Sequence, residues 1–211
     1  DPNGGHFSNP LGLDIIKDLG LEPLPFDEAN ELIEPGLKMF HIQDVDFRSH
    51  HLLFENGLLE IKEWSVNNPN HTPIIILINA KDDEVFVTKS PLTFTKEALS
   101  TIDEEIRSVF SENQLITPDL VMGDSESLES AVLTNGWPLL ENIKGKVLFV
   151  LDENETKTNR YLESFPELVN EAMFVDQDAG NNAAAVMIVN DPIADFDKIH
   201  SLVSQGNMVR T

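Results

Sequence analysis

The chain has 211 residues and 41% hydrophobic content, enough for one sizeable core and short for two. Its 37 acidic and 14 basic residues leave a net charge of −23, which argues against a nucleic-acid-binding surface and offers anionic lipid no basic patch. The absence of cysteine excludes disulfides, thiolate catalysis and thiolate metal sites, and no apolar run approaches the roughly 20 residues of a membrane span.

In chain order, DPNGGHFSNPLG (1–12) has turn chemistry and reads as a loop entered from a preceding strand. The chain starts at Asp1 without a visible signal segment, so a processed, trimmed or fragmentary chain is expected. KMFHI (38–42) reads as a strand, followed by a polar link and a helix from about Ser49 to Ser65 with Phe54, Leu58, Ile61 and Trp64 on one face. TPIIILINAK (72–81) is apolar without alternation, as a strand buried on both faces is. EVFVT (84–88) is a possible short strand.

Lys96–Phe110 is a helix with Thr95 as N-cap and Leu99, Ile102, Ile106 and Val109 inward. Residues 115–121 are weakly strand-like, and Ser125–Asn135 is a helix closed by Gly136. GKVLFVLDE (145–153) is another buried strand, and 159–170 is partly helical with a break at Pro166. Residues 172–175 and 184–189 are short strands. Asp195 caps a helix running to Gln205 with Phe196, Ile199, Leu202 and Val203 inward, and a strand begins at Met208.

This β-α-β-α order favours a parallel sheet with helical crossovers, in either a (β/α)₈ barrel or an open doubly wound sheet. No GxGxxG or GxxxxGK[ST] follows a strand, which weighs against nucleotide binding, and no GxSxG elbow supports a serine lipase. Five or six strands are too few to close an eight-stranded barrel.

Several polar residues attract attention. His41 lies between Phe40 and Ile42, where a satisfied core histidine is an ordinary outcome. Asn79 can end its strand by bonding a turn, and Lys81 can lie in a solvated loop with Asp82 and Asp83. Asp44, Asp46 and Arg48 are expected to shape a loop through hydrogen bonds and an ion pair, with Ser49 capping the next helix. His50 and His51 tempt a transition-metal reading, but adjacent residues on a helix point about 100° apart and rarely face one ion. DENETKTN (152–159) lacks the glycine and terminal glutamate of an EF-hand loop.

FHIQDVDFRS (40–49), WSVNNPNHTPIIILINAKDD (64–83), LITPDLVMGD (115–124), GWPLLENIKGKVLFVLDE (136–153) and AAVMIVNDP (184–192) together resemble the bacterial-type calcium-dependent phosphoinositide phospholipase C family. The resemblance covers most of the chain in order and implies a TIM barrel, (β/α)₈, of the PLC-like phosphodiesterase type. It implies a single domain over 1–211, incomplete at both ends. In such barrels the first strand supplies a histidine and often an Asn ligand, and the second supplies an E-x-D pair before a DPxGG-like turn. That turn matches DPNGG at 1–5, which would put the first histidine and the E-x-D pair before Asp1 and the last strand after Thr211.

The third-strand histidine matches His41, which the resemblance makes a catalytic general acid or phosphate stabiliser. The fourth-strand acidic calcium ligand falls on Asn79, an amide in place of a carboxylate. Lys81, two residues on and on the same strand face, becomes a candidate phosphate contact. The implied cofactor is Ca²⁺. The implied substrate is a phosphoinositide or other phosphodiester, with peripheral membrane contact at most, no nucleic acid, and a secreted or periplasmic setting. A glycerophosphodiester or glycosyl-phosphatidylinositol substrate, or an inactive barrel that only binds, stays open beside it.

Overall fold

The computed structural model describes residues 11–22, 27–43, 46–85 and 90–211, the side chains of 11–13 excepted. The DPNGG turn, Asp44 and residues 86–88 of EVFVT lie outside the described residues. The chain forms two compact units, one of Asp1–Trp64 with Ala80–Val109 and the other of Ser65–Asn79 with Phe110–Thr211.

The first unit contains α1 (Leu11–Asp18), α2 (Phe54–Asn67, to Trp64 in this unit) and α3 (Lys96–Val109). On α3, Leu99, Ile102, Ile106 and Val109 are buried as the period requires, and the Thr95 hydroxyl accepts from the Ala98 N–H at 3.2 Å. Helix α2 starts at Phe54, later than the sequence suggests, so Ser49 does not cap it. The Glu31 carboxylate explains the later start. Its Oε2 accepts the Leu52 and Leu53 N–H groups at 2.5 and 2.8 Å, placing an anion before the first helical turn. Phe54 and Leu58 are buried, but Trp64 is 51% exposed, so the inward face is narrower than its period suggests.

The strand expected at 38–42 is replaced by two isolated antiparallel bridges, Lys38 with Leu53 and Ile42 with Asp46. The chain turns back at Ile42. The Asp46 N–H donates to the Ile42 carbonyl at 2.9 Å, and the Asp46 carbonyl accepts from both His41 and Ile42. A strand cannot continue through a segment whose backbone groups are spent on that closure.

The second unit is built on β1 (Ile74–Ile78), β2 (Val147–Leu151) and β3 (Met173–Val175), all parallel, with β2 central. Every β2 residue is buried, in keeping with the unbroken apolar run VLFVL, whereas β1, expected to be buried on both faces, is only partly buried and its Ile75 is 48% exposed. Strands β4 (Val186–Ile188) and β5 (Met208–Arg210) form a parallel pair, and a parallel bridge from Asp176 to Val186 joins β3 to β4. Each strand thus runs beside its sequence successor in the same direction, the wiring of consecutive β-α units.

Five helices accompany them: α4 (Pro118–Met122), α5 (Leu128–Asn135), α6 (Leu140–Ile143), α7 (Glu155–Leu162) and α8 (Phe196–Ser204). Residues 115–121, expected as a weak strand, make one parallel bridge from Leu115 to Val147 before α4 begins. Thr117 stops the extension by capping α4, and Pro118 sits where no intrahelical N–H is needed. Gly136 ends α5 at φ 73°, a conformation that favours glycine. Helix α7 begins earlier than expected because the Asn154 side chain accepts the Lys157 N–H at 3.2 Å. On α8, Leu202 and the half-buried Ile199 pack with Ala184, Met187 and Val189. Phe196 and Val203, expected inward, are 64% and 54% exposed, and Asp195 makes no side-chain cap bond.

Candidate functional site

In the first unit a cleft of about 180 Å³ is lined by Phe40, His41, Ile42, Gln43, Lys81 and Asp83, among others. His41 and Lys81, singled out separately in the sequence, therefore share one cavity. His41 is exposed, not a core histidine, and its Nδ1 lies 2.8 Å from Asp46 Oδ2. When Nδ1–H donates to that carboxylate, Nε2 is the nitrogen free to exchange a proton. The tight closure between Ile42 and Asp46 brings the carboxylate across to the ring. Asp46 was expected only to shape the loop. Its service to His41 was hidden because the intervening chain looks like an ordinary polar link. On the Lys81 side, Asp82 Oδ2 accepts the Phe94 N–H at 2.8 Å and holds the segment in place.

Asn79 belongs to the second unit, directly after β1. Its Nδ2 donates to the Asp152 carbonyl, and the Asp152 N–H donates to Ile78 at 2.9 Å. The amide thus joins the carboxyl ends of β1 and β2, a bond across the sheet and not to a turn of its own segment. That bond uses only the NH₂ group, so Oδ1 keeps its lone pairs.

Asp152 and Asp176 follow β2 and β3 directly, the end of a parallel sheet where ligands bind. The Asp176 carboxyl is pushed up, chiefly by burial. The Ile188 N–H at 2.9 Å opposes the shift, and the Asp152 and Asp178 charges add to it. Glu153, Asn154, Asp176, Asp178, Asn181 and Lys198 are among the residues lining a cleft of about 380 Å³. Sequence reasoning rejected a calcium site at 152–159 for want of an EF-hand pattern and passed over Asp176, although Asp152 and Asp176 each follow an apolar run without a spacer. Amide and carboxylate oxygens form a hard donor set that fits Ca²⁺ better than a nitrogen-seeking metal. Residues 152–159 build no EF-hand loop. Asn154 caps α7, and Glu153 pairs with Lys157 at 3.1 Å.

His50 and His51 require a correction. They precede α2, so the helical-angle argument against their convergence does not apply. Their rings meet edge to face with centroids 4.8 Å apart. His71 bonds Ser65 Oγ at 2.7 Å through Nε2 and is structural, while His200 is exposed on α8.

Parallel strands in sequence order, with acids directly after β2 and β3, define an α/β protein of the kind that includes the PLC-like phosphodiesterases. The chain belongs to the Ca²⁺-dependent phosphoinositide phospholipase C family, whose model matches residues 1–211. The family and its structural neighbours are phosphodiesterases.

Among solved structures, the calcium-dependent phosphoinositol-specific phospholipase C of a Gram-negative Pseudomonas sp. is similar in two forms. Crystal form 1 of the apo enzyme gives a TM-score of 0.60 at 17% identity, covering 99% of this chain and 78% of that one. The myoinositol complex gives 0.57 at 20%, covering 74% and 58%. The Ca²⁺-dependent phosphatidylinositol-specific phospholipase C of Streptomyces antibioticus gives 0.48 at 20%, covering 86% and 58%. The chain spans 58% of the length of the myoinositol-complex structure and of the Streptomyces antibioticus structure. No curated protein matches the chain in sequence.

Proposed function

We propose that the protein is a calcium-dependent phosphodiesterase of the phosphoinositide phospholipase C type. It would cleave the glycerophosphate ester of an inositol phospholipid, within a (β/α)₈ barrel of which the parallel strands are part and residues 1–211 one domain. Family membership carries this reading, and the observation that gives it chemistry is the His41–Asp46 pair in a cleft shared with Lys81.

In this reaction a general base, in the family pattern a histidine other than His41, takes the proton of the inositol 2-hydroxyl as its oxygen attacks phosphorus and the bond to the glycerol oxygen breaks, leaving a cyclic inositol phosphate and diacylglycerol. His41 acts as general acid, its Nε2–H protonating the departing oxygen while Asp46 holds Nδ1–H and stabilises the imidazolium form. The Lys81 ammonium contacts a phosphate oxygen as negative charge builds there. Asn79 Oδ1 with the carboxylates of Asp152 and Asp176 is the donor set that would hold calcium. The bound ion supplies charge neutralisation and lowers the pKa of a coordinated hydroxyl. A secreted or periplasmic setting and a role in lipid degradation accompany this reading.

Turnover of phosphatidylinositol by the intact protein with calcium tests it. A cyclic inositol phosphate that disappears in His41→Ala is the expected product, whereas free glycerol phosphate would move the substrate to the glycerophosphodiesters. A glycosyl-phosphatidylinositol substrate is compared in the same assay. The amide at Asn79, engaged with Asp152, favours a second reading, a barrel that binds and does not turn over. Absence of calcium binding at millimolar concentration would select it.

A further inference from the structure

We propose that His50, His51 and Glu60 form a binding site for a transition-metal cation of the zinc class. The three side chains each offer one ligand atom, and these atoms all lie within 4.8 Å of one another. His51 Nε2 is 2.7 Å and His50 Nε2 is 3.6 Å from Glu60 Oε2. Tetrahedral zinc with its usual bond lengths spaces neighbouring ligand atoms roughly 3.3 Å apart. The observed separations bracket that spacing, so side-chain adjustment alone can admit the ion.

Two further features support it. The other nitrogen of His51, Nδ1, faces Glu31 Oε1 at 3.8 Å. Glu31 is itself fixed, accepting from the Leu52 and Leu53 N–H groups and from Asn56 Nδ2 at 2.8 Å. At 3.8 Å the carboxylate acts on the His51 ring through charge and not through a hydrogen bond, favouring the cationic load that a ligating imidazole shares with its metal. The two histidines also come from the non-helical stretch before α2 and Glu60 from the helix itself, so the donors are supplied by two segments of different conformation.

The donor chemistry sets the class. Two imidazole nitrogens and one carboxylate suit Zn²⁺, Co²⁺, Ni²⁺ or Cu²⁺ and not the oxygen-seeking Ca²⁺ or Mg²⁺. His50 and Glu60 are exposed, leaving room for water or another ligand to complete the coordination. A cleft of about 350 Å³, lined in part by Asp27, Glu28, Glu31, Arg48 and His50, opens beside it. The proposal is independent of phosphodiesterase activity.

Calorimetric titration of the intact, metal-free protein with Zn²⁺, in excess calcium and magnesium, tests it. One equivalent is expected to bind, and His50→Gln and Glu60→Gln should each weaken binding about tenfold or more. Co²⁺ should give visible absorption of low-symmetry nitrogen coordination that is lost in His51→Gln. His50 is 84% exposed, so its variant tests the site without risk to folding. No saturable Zn²⁺ binding would overturn the proposal. So would binding that His50→Gln and Glu60→Gln leave unchanged, which would mean only adventitious cations on an acidic surface.

Discussion

Strand β2 and the segment Lys38–Ile42 are each five residues long and invite the same reading, yet they fold differently. All five β2 side chains are apolar and at most 1% exposed, with β1 on one edge and β3 on the other. KMFHI places Lys38 and His41 among three apolar residues and makes only isolated bridges. Each of these two polar side chains needs polar partners. Lys38 Nζ donates to the Glu34 and Gly36 carbonyls, and His41 turns to Asp46. The comparison teaches that the fully apolar run serves as framework, while the interrupted run gives up strand geometry to present a titratable side chain. In physical terms, a strand buried on both faces has no place for a side chain that must exchange protons with a substrate, so the titratable group stands where regular strand pairing stops.

The largest effects should separate these two roles. His41→Ala is expected to lower phosphatidylinositol turnover by about 10²–10⁴-fold. Its unfolding free energy should change by no more than about 0.5 kcal/mol, since the ring is exposed. Phe149→Ala should do the reverse. That ring is fully buried and meets Phe110 edge to face at 5.7 Å, so a loss of about 3–5 kcal/mol is expected in denaturant unfolding. An equal stability loss in both variants would remove the distinction between framework and presenting segment.

A smaller effect concerns the carboxyl ends of the strands. Calcium at about a hundred times its dissociation constant should stabilise the protein by about 2.7 kcal/mol, read as a rise in Tm. Asn79→Ala and Asp176→Asn should each reduce that rise. Lys81→Ala should leave it intact while lowering kcat for the phosphodiester. Equal calcium shifts in all three variants would place the ion elsewhere.

What the sequence made legible follows the same line. Strands at 74–78 and 147–151 and the α3 core were readable because five consecutive apolar residues, or a clean helical period, permit few alternatives. His41, Asn79 and Lys81 were recognisable only through family resemblance, since spacing alone leaves each a structural explanation. The His41–Asp46 contact was not readable, because it depends on the antiparallel bridge between Ile42 and Asp46. The convergence of His50 and His51 was obscured by starting α2 too early, a consequence of Glu31 accepting two N–H groups from far away in sequence. Phe196 and Val203 show the remaining gap. A helical period identifies an apolar face but not how much of it is covered.

The smallest expected effect compares one half-buried carboxyl from each unit. Glu105 on α3 is pushed above its ordinary 4.5, chiefly by burial, with Glu55 adding to the shift and the Leu37 N–H and Lys38 opposing it. Its Oε1 accepts the Leu37 N–H at 2.8 Å, whereas its buried Oε2 has no hydrogen-bond partner. The folded protein therefore holds this proton more tightly than the unfolded chain does. The stabilising contribution is complete below 4.5 and declines as pH rises through the folded value. Glu105→Gln keeps an acceptor for Leu37 and cannot ionise, so it should gain on the order of 1 kcal/mol over the parent at mildly alkaline pH and nothing below the window. Asp176 is shifted in the same direction, but it is also a proposed calcium ligand. Calcium should therefore suppress the pH dependence contributed by Asp176 and leave that of Glu105 unchanged. Denaturant unfolding of Glu105→Gln and Asp176→Asn across pH, with and without calcium, measures both. A calcium response in the Glu105 contribution, or none in that of Asp176, would break the assignment of the ion to the second unit.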